Sequence, residues 1–148
     1  KILALQVELG ELCNCWRGFK FWSHDQEPRT VKYIENREHR QNPLLEEYVD
    51  CLHFILSIGL DINHDYTPKP GPYPTDMTKL FINLNHRITN LFYFIDSYGK
   101  AEGARYRYQD IFDEFLFLGE LLGFSYEQIE QAYREKNAVN HQRQAEGY

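Results

Sequence analysis

The chain has 148 residues, of which 43% are hydrophobic and 16% aromatic, and its formal net charge at pH 7 is −6. This length suits a single domain over 1–148 with a substantial core, and the aromatic content excludes a disordered chain. The negative charge argues against broad binding to nucleic acid or anionic membranes, because both require basic surfaces. Every long apolar run carries charge and no signal peptide is visible, so we expect a cytoplasmic protein that spans no membrane.

The hydrophobic pattern predicts about five helices and no strand. Apolar residues recur at helical spacing, and no segment alternates between apolar and polar residues. The predicted helices cover 1 to about 16 or 17, 43 to about 60, 76 or 77 to about 98, roughly 104–122, and 126 to about 140. The chain is therefore expected to be an all-α helical bundle.

The predicted helix ends carry typical residue types. Three helices begin after a polar cap, and three end at a glycine. The caps are Asn42 before Pro43, Thr75 or Asp76, and Ser125 with Gln128, and the glycines are Gly18, Gly99 and Gly123. Residues 61–76 contain four of the six prolines and are predicted to form an irregular loop.

Two pairs of carboxylates interrupt the apolar helices. Glu8 and Glu11 stand three residues apart, as do Glu47 and Asp50, so each pair shares one helix face. An ionised carboxylate that is buried without a partner costs several kcal/mol, roughly. A solvated helix face would explain one such pair, but the helix carrying Glu47 has almost no other polar face. All-oxygen ligands suit Mg²⁺ or Mn²⁺, which points to metal-assisted chemistry on phosphates.

Asp50 and His53 raise an alternative, because di-iron carboxylate bundles use Glu residues with two Glu-x-x-His motifs. Only one carboxylate-x-x-His spacing occurs in a suitable helix, and Asn14 stands where the first pair would need a histidine. The iron interpretation therefore lacks ligands. His53 is expected to contact substrate or to be a core histidine.

A second polar cluster lies near the C-terminus. Lys136, Asn140 and Arg143 recur at helical spacing, in a pattern typical of a polar helix end or of a phosphate-binding face. Lys20 could add another cation. The spacing leaves both interpretations open.

The three cysteines, Cys13, Cys15 and Cys51, are an odd set and cannot all pair. They are interpreted as reduced core residues rather than a soft-metal site. The opening KILALQ is already helical in pattern and has no cap or initiator Met, so we expect that the chain is truncated or follows a segment that is not shown. The aromatic third and fourth helices would serve equally as a dimer interface or as core.

Taken together, these residues resemble the dimeric all-α dUTPases, relatives of the MazG-type nucleoside triphosphate pyrophosphatases. The blocks that carry the resemblance are VELGE, FKFWS, LLEEYVDCLHFILSIGL and KNAVNHQRQAEGY, in that order. The long gap between the carboxylate pairs favours the dUTPase branch. Family members usually carry an upstream helix that reads the uracil edge, and this chain starts after it.

The resemblance implies a homodimer that hydrolyses dUTP to dUMP and pyrophosphate and so keeps uracil out of DNA. It also implies dUDP as a further substrate, which would yield dUMP and phosphate. It maps Glu8, Glu11, Glu47 and Asp50 onto ligands for two or more Mg²⁺, with Glu11, or else Glu8, positioning the attacking water. It maps Lys136, Asn140, Arg143 and Tyr148 onto a phosphate-binding tail, and Lys20, Trp22 and His53 onto further substrate contacts. The alternatives are a MazG-like pyrophosphatase for another nucleotide, a di-iron protein, and a helical interaction module.

Overall fold

The computed structural model describes residues 1–31, 42–69, 71–100 and 102–147, with the backbone alone for Gln144. These residues form five helices and no strand, which confirms the predicted all-α class. The helices are α1 (Ile2–Trp16), α2 (Pro43–Asp61), α3 (Met77–Tyr98), α4 (Glu102–Leu121) and α5 (Tyr126–Ala145). Helix α5 passes its predicted end at Asn140, because helix-forming polar residues continue after the apolar pattern has stopped. None of the described helices contains a stretch apolar and long enough to cross a bilayer.

The predicted N-caps are present. The side chain of Asn42 accepts a hydrogen bond from the Leu45 N–H at 3.1 Å, and Asp76 rather than Thr75 caps α3. At α5, the Ser125 and Gln128 side chains accept hydrogen bonds from each other's backbone N–H groups, at 3.2 and 2.9 Å. These caps satisfy backbone donors that have no partner within the helix.

The end of α1 differs from the expectation in one detail. Arg17, not Gly18, adopts the left-handed conformation, with φ of 66°. The Arg17 guanidinium donates hydrogen bonds to the Asp25 carbonyl at 2.7 and 3.1 Å, which compensates for the backbone strain. Gly18 is needed for space instead, because a Cβ there would lie 2.3 Å from the Trp16 ring.

Helices α1 to α4 form a bundle in which each neighbouring pair is antiparallel. Helix α1 packs on α2 and α3, α4 packs on α3 and α2, and α5 packs outside on α2. Contacts that define the directions are Lys1–Asp61, Gln6–Thr89, Trp16–Phe81, Arg87–Asp110, Tyr48–Phe115, His53–Tyr133 and Lys136–Asp50. Because α2 and α3 are both antiparallel to α1, they run in the same direction. The chain must therefore return along the bundle between them.

Residues 62–69 and 71–76 lie on this return, and we call residues 62–76 the proline-rich strap. As predicted, its described residues contain no helix. The strap lies along α4 and contacts its side chains. The Asp113 carboxylate accepts hydrogen bonds from the Tyr66 hydroxyl at 2.6 Å and the Lys69 N–H at 2.9 Å. Farther along, the Tyr73 ring contacts Phe117. Side chains of α4 thus satisfy backbone and side-chain groups of a segment that has no regular hydrogen bonding of its own.

Helices α2 and α4 approach closely through two reciprocal contacts of tyrosine with glycine. A Cβ at Gly119 would lie 2.5 Å from the Tyr48 hydroxyl, and a Cβ at Gly59 would lie 2.4 Å from the Tyr108 hydroxyl. Each helix therefore supplies one tyrosine and one glycine. The Tyr48 hydroxyl also donates to the Phe115 carbonyl at 3.2 Å, so its polar atom is satisfied in the core.

Candidate metal centre

Helices α1 and α2 bring together three carboxylates of the two predicted pairs. Leucines of α1 at helical spacing are buried, as are Tyr48 and Cys51 of α2. This packing fixes which helix faces meet at the seam between α1 and α2. Glu8, Glu47 and Asp50 are half-buried at that seam. One oxygen from each lies within 4.8 Å of the others. We call these three residues the carboxylate cluster.

The carboxylate cluster carries unbalanced negative charge. Burial raises the pKa of Glu47 to about 7, with further increases from Glu11, Asp50 and Glu8. Burial also raises the pKa of Glu8, as do Asp50 and Glu11, while Lys136 acts in the opposite direction. A bound cation would relieve this repulsion, and three converging carboxylates form the hard, all-oxygen ligand set that Mg²⁺ or Mn²⁺ prefers. The residues present therefore fit a divalent metal.

Glu11 lies beside the carboxylate cluster rather than within it. Its side chain is exposed, and the group of described residues that could share one ion does not include it. Its charge nevertheless has the largest effect of any neighbouring charge on Glu47. Glu11 is thus at the solvent side of the cluster, where water has access.

Lys136 of α5 contacts the carboxylate cluster through Asp50. Its ammonium lies 2.7 Å from Asp50 Oδ2 and 3.3 Å from Glu46 Oε1. Burial alone would lower the pKa of Lys136, but Asp50 and Glu46 outweigh it and the pKa rises. The ammonium therefore stays charged and neutralises part of the acidic seam.

Comparison with known proteins identifies the family. A family model described as dUTPase matches residues 1–148, the whole chain. The chain belongs to the all-α dUTPase family. Comparisons with curated proteins and with solved structures give no significant match. Family membership confirms the predicted dUTP diphosphatase class, and the family generally uses a divalent metal.

In this dUTPase-family chain His53 lies one turn beyond Asp50 on α2. Its ring stacks on Tyr133 of α5, with centroids 4.2 Å apart. Among the described residues, Nε2 of His53 is buried without a hydrogen-bond partner, and burial lowers the pKa of the ring. The described groups that could hold a metal contain carboxylates alone, so the structure supplies no histidine ligand of the kind that di-iron bundles use.

Lys20 and Trp22 lie in the connector after α1. The Lys20 ammonium lies 5.6 Å from the centroid of the Phe19 ring. Trp22 is 65% exposed and contacts Phe19 and Phe21 edge-on. Within the described residues, no hydrogen bond or ion pair joins Lys20 or Trp22 to the carboxylate cluster, so their predicted contacts with substrate stay predictions.

The residues of the predicted phosphate-binding tail lie at different distances along the chain from the carboxylate cluster. Lys136 contacts Asp50, whereas Asn140 and Arg143 lie about one and two turns farther along α5. Tyr148 lies outside the described residues. The structure thus brings Lys136 to the metal-binding residues and keeps Asn140 and Arg143 on the same helix.

Two residues at the site were not predicted. Glu46 shares Lys136 with Asp50, and Tyr133 covers His53. Tyr133 could have been found, because it precedes Lys136 by three residues and so shares its helix face. Glu46 gave a weaker signal, since adjacent residues on a helix do not face the same way.

The cysteines are free, as expected for reduced core residues. Cys51 is buried under the carboxylate cluster, and Cys13 and Cys15 are half-buried. Burial raises the pKa of Cys13 to about 11 and also raises that of Cys15, where Glu47 adds to the effect. A thiolate is the form that binds soft metals, so these shifts disfavour a thiolate metal site.

Proposed function

We propose that the chain hydrolyses dUTP to dUMP and pyrophosphate with the help of Mg²⁺, and so keeps uracil out of DNA. The observation that carries this proposal is the carboxylate cluster in a chain of the all-α dUTPase family. Family membership supports the substrate, and the geometry supports the metal. Neither nitrogen nor sulfur ligands join the cluster in the described part of the chain, which favours Mg²⁺, with Mn²⁺ as a substitute.

Glu8, Glu47 and Asp50 would hold the metal, and Glu11 would bind a second ion from the solvent side. When bound, Mg²⁺ ions supply positive charge to the triphosphate oxygens and to the attacking water. Glu11 is the residue we propose to position that water and accept its proton, because its carboxylate is exposed next to the cluster; Glu8 is the alternative.

Two positive side chains and one amide side chain on α5 would bind the phosphates. Lys136 already lies at the cluster, and Asn140 and Arg143 extend the same helix away from it. Arg143 can fork onto two phosphate oxygens, while Asn140 donates an amide hydrogen bond. Four further residues remain proposed substrate contacts, namely Tyr148, Lys20, Trp22 and His53. For His53, the proposed contact atom is Nε2, which has no hydrogen-bond partner among the described residues.

A homodimer in the cytoplasm is proposed as the working form. Helices α1 and α3 pack against each other and expose apolar side chains, with Leu3 at 74%, Ile82 at 62% and Tyr93 at 63%. A second copy of the chain would cover such a surface. Light scattering across a concentration series would show the oligomeric state.

Pyrophosphate release from dUTP, dTTP, dCTP and UTP, with and without Mg²⁺, tests the proposed function, and phosphate release from dUDP tests the further substrate. We expect fast, Mg²⁺-dependent release from dUTP, and loss of that activity in Glu8→Gln. Glu120→Gln is the matched control, because Glu120 is an exposed carboxylate on α4. A preference for another nucleotide would overturn the substrate assignment, and equal rates in Glu8→Gln and in the control would overturn the metal centre.

A further inference from the structure

The contact of Lys136 with Asp50 raises a question about metal binding. Asp50 belongs to the carboxylate cluster, yet its Oδ2 lies 2.7 Å from the Lys136 ammonium. Both side chains are largely shielded from water, with 20% of Asp50 and 25% of Lys136 exposed. A divalent cation and an ammonium repel each other strongly at such short range, because little solvent screens them. The two cations therefore compete for Asp50.

Glu46 offers the ammonium a second position. Its Oε1 lies 3.3 Å from the same nitrogen, and its side chain is more exposed, at 45%. Glu46 also lies outside the group of carboxylates that could share one ion. Lys136 can therefore keep a carboxylate partner after it leaves Asp50, at the outer edge of the site.

We propose that Glu46 is a positioning residue that receives the Lys136 ammonium when Asp50 binds the metal. In the metal-free protein Lys136 occupies Asp50 as a substitute cation, which reduces the repulsion within the carboxylate cluster. With Asp50 engaged by the metal, Glu46 holds Lys136 beside the site, available to the anionic substrate. This inference rests on the proposed function, because it assumes that the cluster binds a divalent metal.

The metal and Lys136 weaken each other's binding to Asp50. A cation that must displace Lys136 binds more weakly than it would to a free Asp50, and binding couplings of this kind are typically about 5–150-fold. Removing the lysine charge should therefore tighten metal binding even though it weakens substrate binding. If Lys136 had a purely structural role and oriented Asp50 for the metal, removing the lysine charge would weaken metal binding instead.

Titration calorimetry with Mn²⁺ alone tests the exchange without substrate. We expect Lys136→Met to bind Mn²⁺ about tenfold more tightly than wild type. Lys79→Met is the matched control, because it removes a lysine charge from an exposed position on α3. Equal or weaker Mn²⁺ binding by Lys136→Met would overturn the proposal. Absence of Mn²⁺ binding in wild type would instead refute the metal centre itself.

Glu46 is tested separately, so that misfolding of one variant does not decide the matter. Without the second carboxylate, Lys136 should hold Asp50 more firmly, and Glu46→Gln should bind Mn²⁺ about fivefold more weakly. Its KM for dUTP should rise while kcat stays near wild type, and Glu46→Asp should restore part of the loss. In the Lys136→Met background, Glu46→Gln should have little effect. The same loss with and without Lys136 would contradict a positioning role.

Discussion

Two regions of the bundle carry carboxylates in opposite electrostatic settings. On α4, Glu114 is fully buried, and its Oε2 lies 2.6 Å from the Arg87 guanidinium of α3. Its neighbour Asp113 accepts hydrogen bonds from Tyr66, the Lys69 N–H and Gln109. Burial raises the pKa of Glu114, but the nearest charge, on Arg87, opposes the effect.

The seam between α1 and α2 is the contrasting case. The neighbouring charges that raise the pKa of Glu47 are all carboxylates, namely Glu11, Asp50, Glu8 and Glu46. Lys136 compensates part of the seam through Asp50. A carboxylate paired with a cation within the chain thus holds helices together, whereas a group of carboxylates in excess of its cations is suited to binding a ligand. Burial alone does not separate the two roles.

The largest expected effect is on activity at the α1–α2 seam. Glu47→Gln removes one repelling charge and one metal ligand, so turnover of dUTP should fall by at least about 100-fold, since even changes beyond the ligands cost about 10–100-fold. Without metal, the Glu47→Gln variant should unfold at the same temperature as wild type or at a higher one. The assay pairs pyrophosphate release with thermal unfolding, and Glu120→Gln serves as the control. A drop in unfolding temperature that matches the lost activity would show that Glu47 is structural.

The second effect is on stability at the α3–α4 seam. Arg87→Met leaves Glu114 buried without its cation, which should cost about 3 kcal/mol of unfolding free energy. Activity per folded molecule should be unchanged, because neither residue contacts the carboxylate cluster through any described ion pair. Urea unfolding measures the loss, with Arg105→Met as an exposed arginine control on α4. Lost turnover at full stability would break the distinction between the two seams.

The smallest effect is a pH dependence that changes with metal. The folded pKa of Glu47, about 7, lies above its usual value of 4.5, so the folded protein retains a proton that the unfolded chain releases. This contribution to stability is complete below the usual pKa and is lost as pH rises through about 7. Because Glu47 is partly exposed, the metal-free unfolding temperature should fall by only about 1–3 °C between acidic and alkaline pH.

Mg²⁺ should reverse that trend, because the metal binds the deprotonated carboxylates and so stabilises the protein more at alkaline pH. Calorimetric scans at several pH values, with and without Mg²⁺, give both slopes. Glu47→Gln should flatten the metal-free slope. An unchanged slope in that variant would assign the pH dependence to another group.

Local signals in the sequence predicted the helices and the carboxylate pairs well. Caps such as Asn42 and Ser125 act within a few residues, so their partners can be identified from spacing alone. The convergence of Glu8 with Glu47 followed from two apolar helices that each carry polar residues on one face. These features depend on local geometry, which the chain order encodes directly.

Long-range partners were not predictable in the same way. The pairing of Arg87 with Glu114, and of Lys136 with Glu46, depends on which helices pack together and in which register. The left-handed conformation of Arg17 depends on hydrogen bonds to the Asp25 carbonyl. Helical spacing cannot show contacts that tertiary packing creates.

The reciprocal tyrosine and glycine contacts between α2 and α4 have a further consequence for how such a sequence can change. Tyr48 and Gly59 are 11 residues apart on α2, and Tyr108 and Gly119 are 11 apart on α4. Eleven residues are about three turns, so the two contacts fix both the sliding and the rotation of one helix against the other. A larger residue at either glycine is tolerable only if its tyrosine shrinks first. We therefore expect substitutions at these positions to occur in pairs, with the tyrosine replaced before the glycine. Because Glu47 and Asp50 lie on α2, the same contacts also fix their position along the bundle.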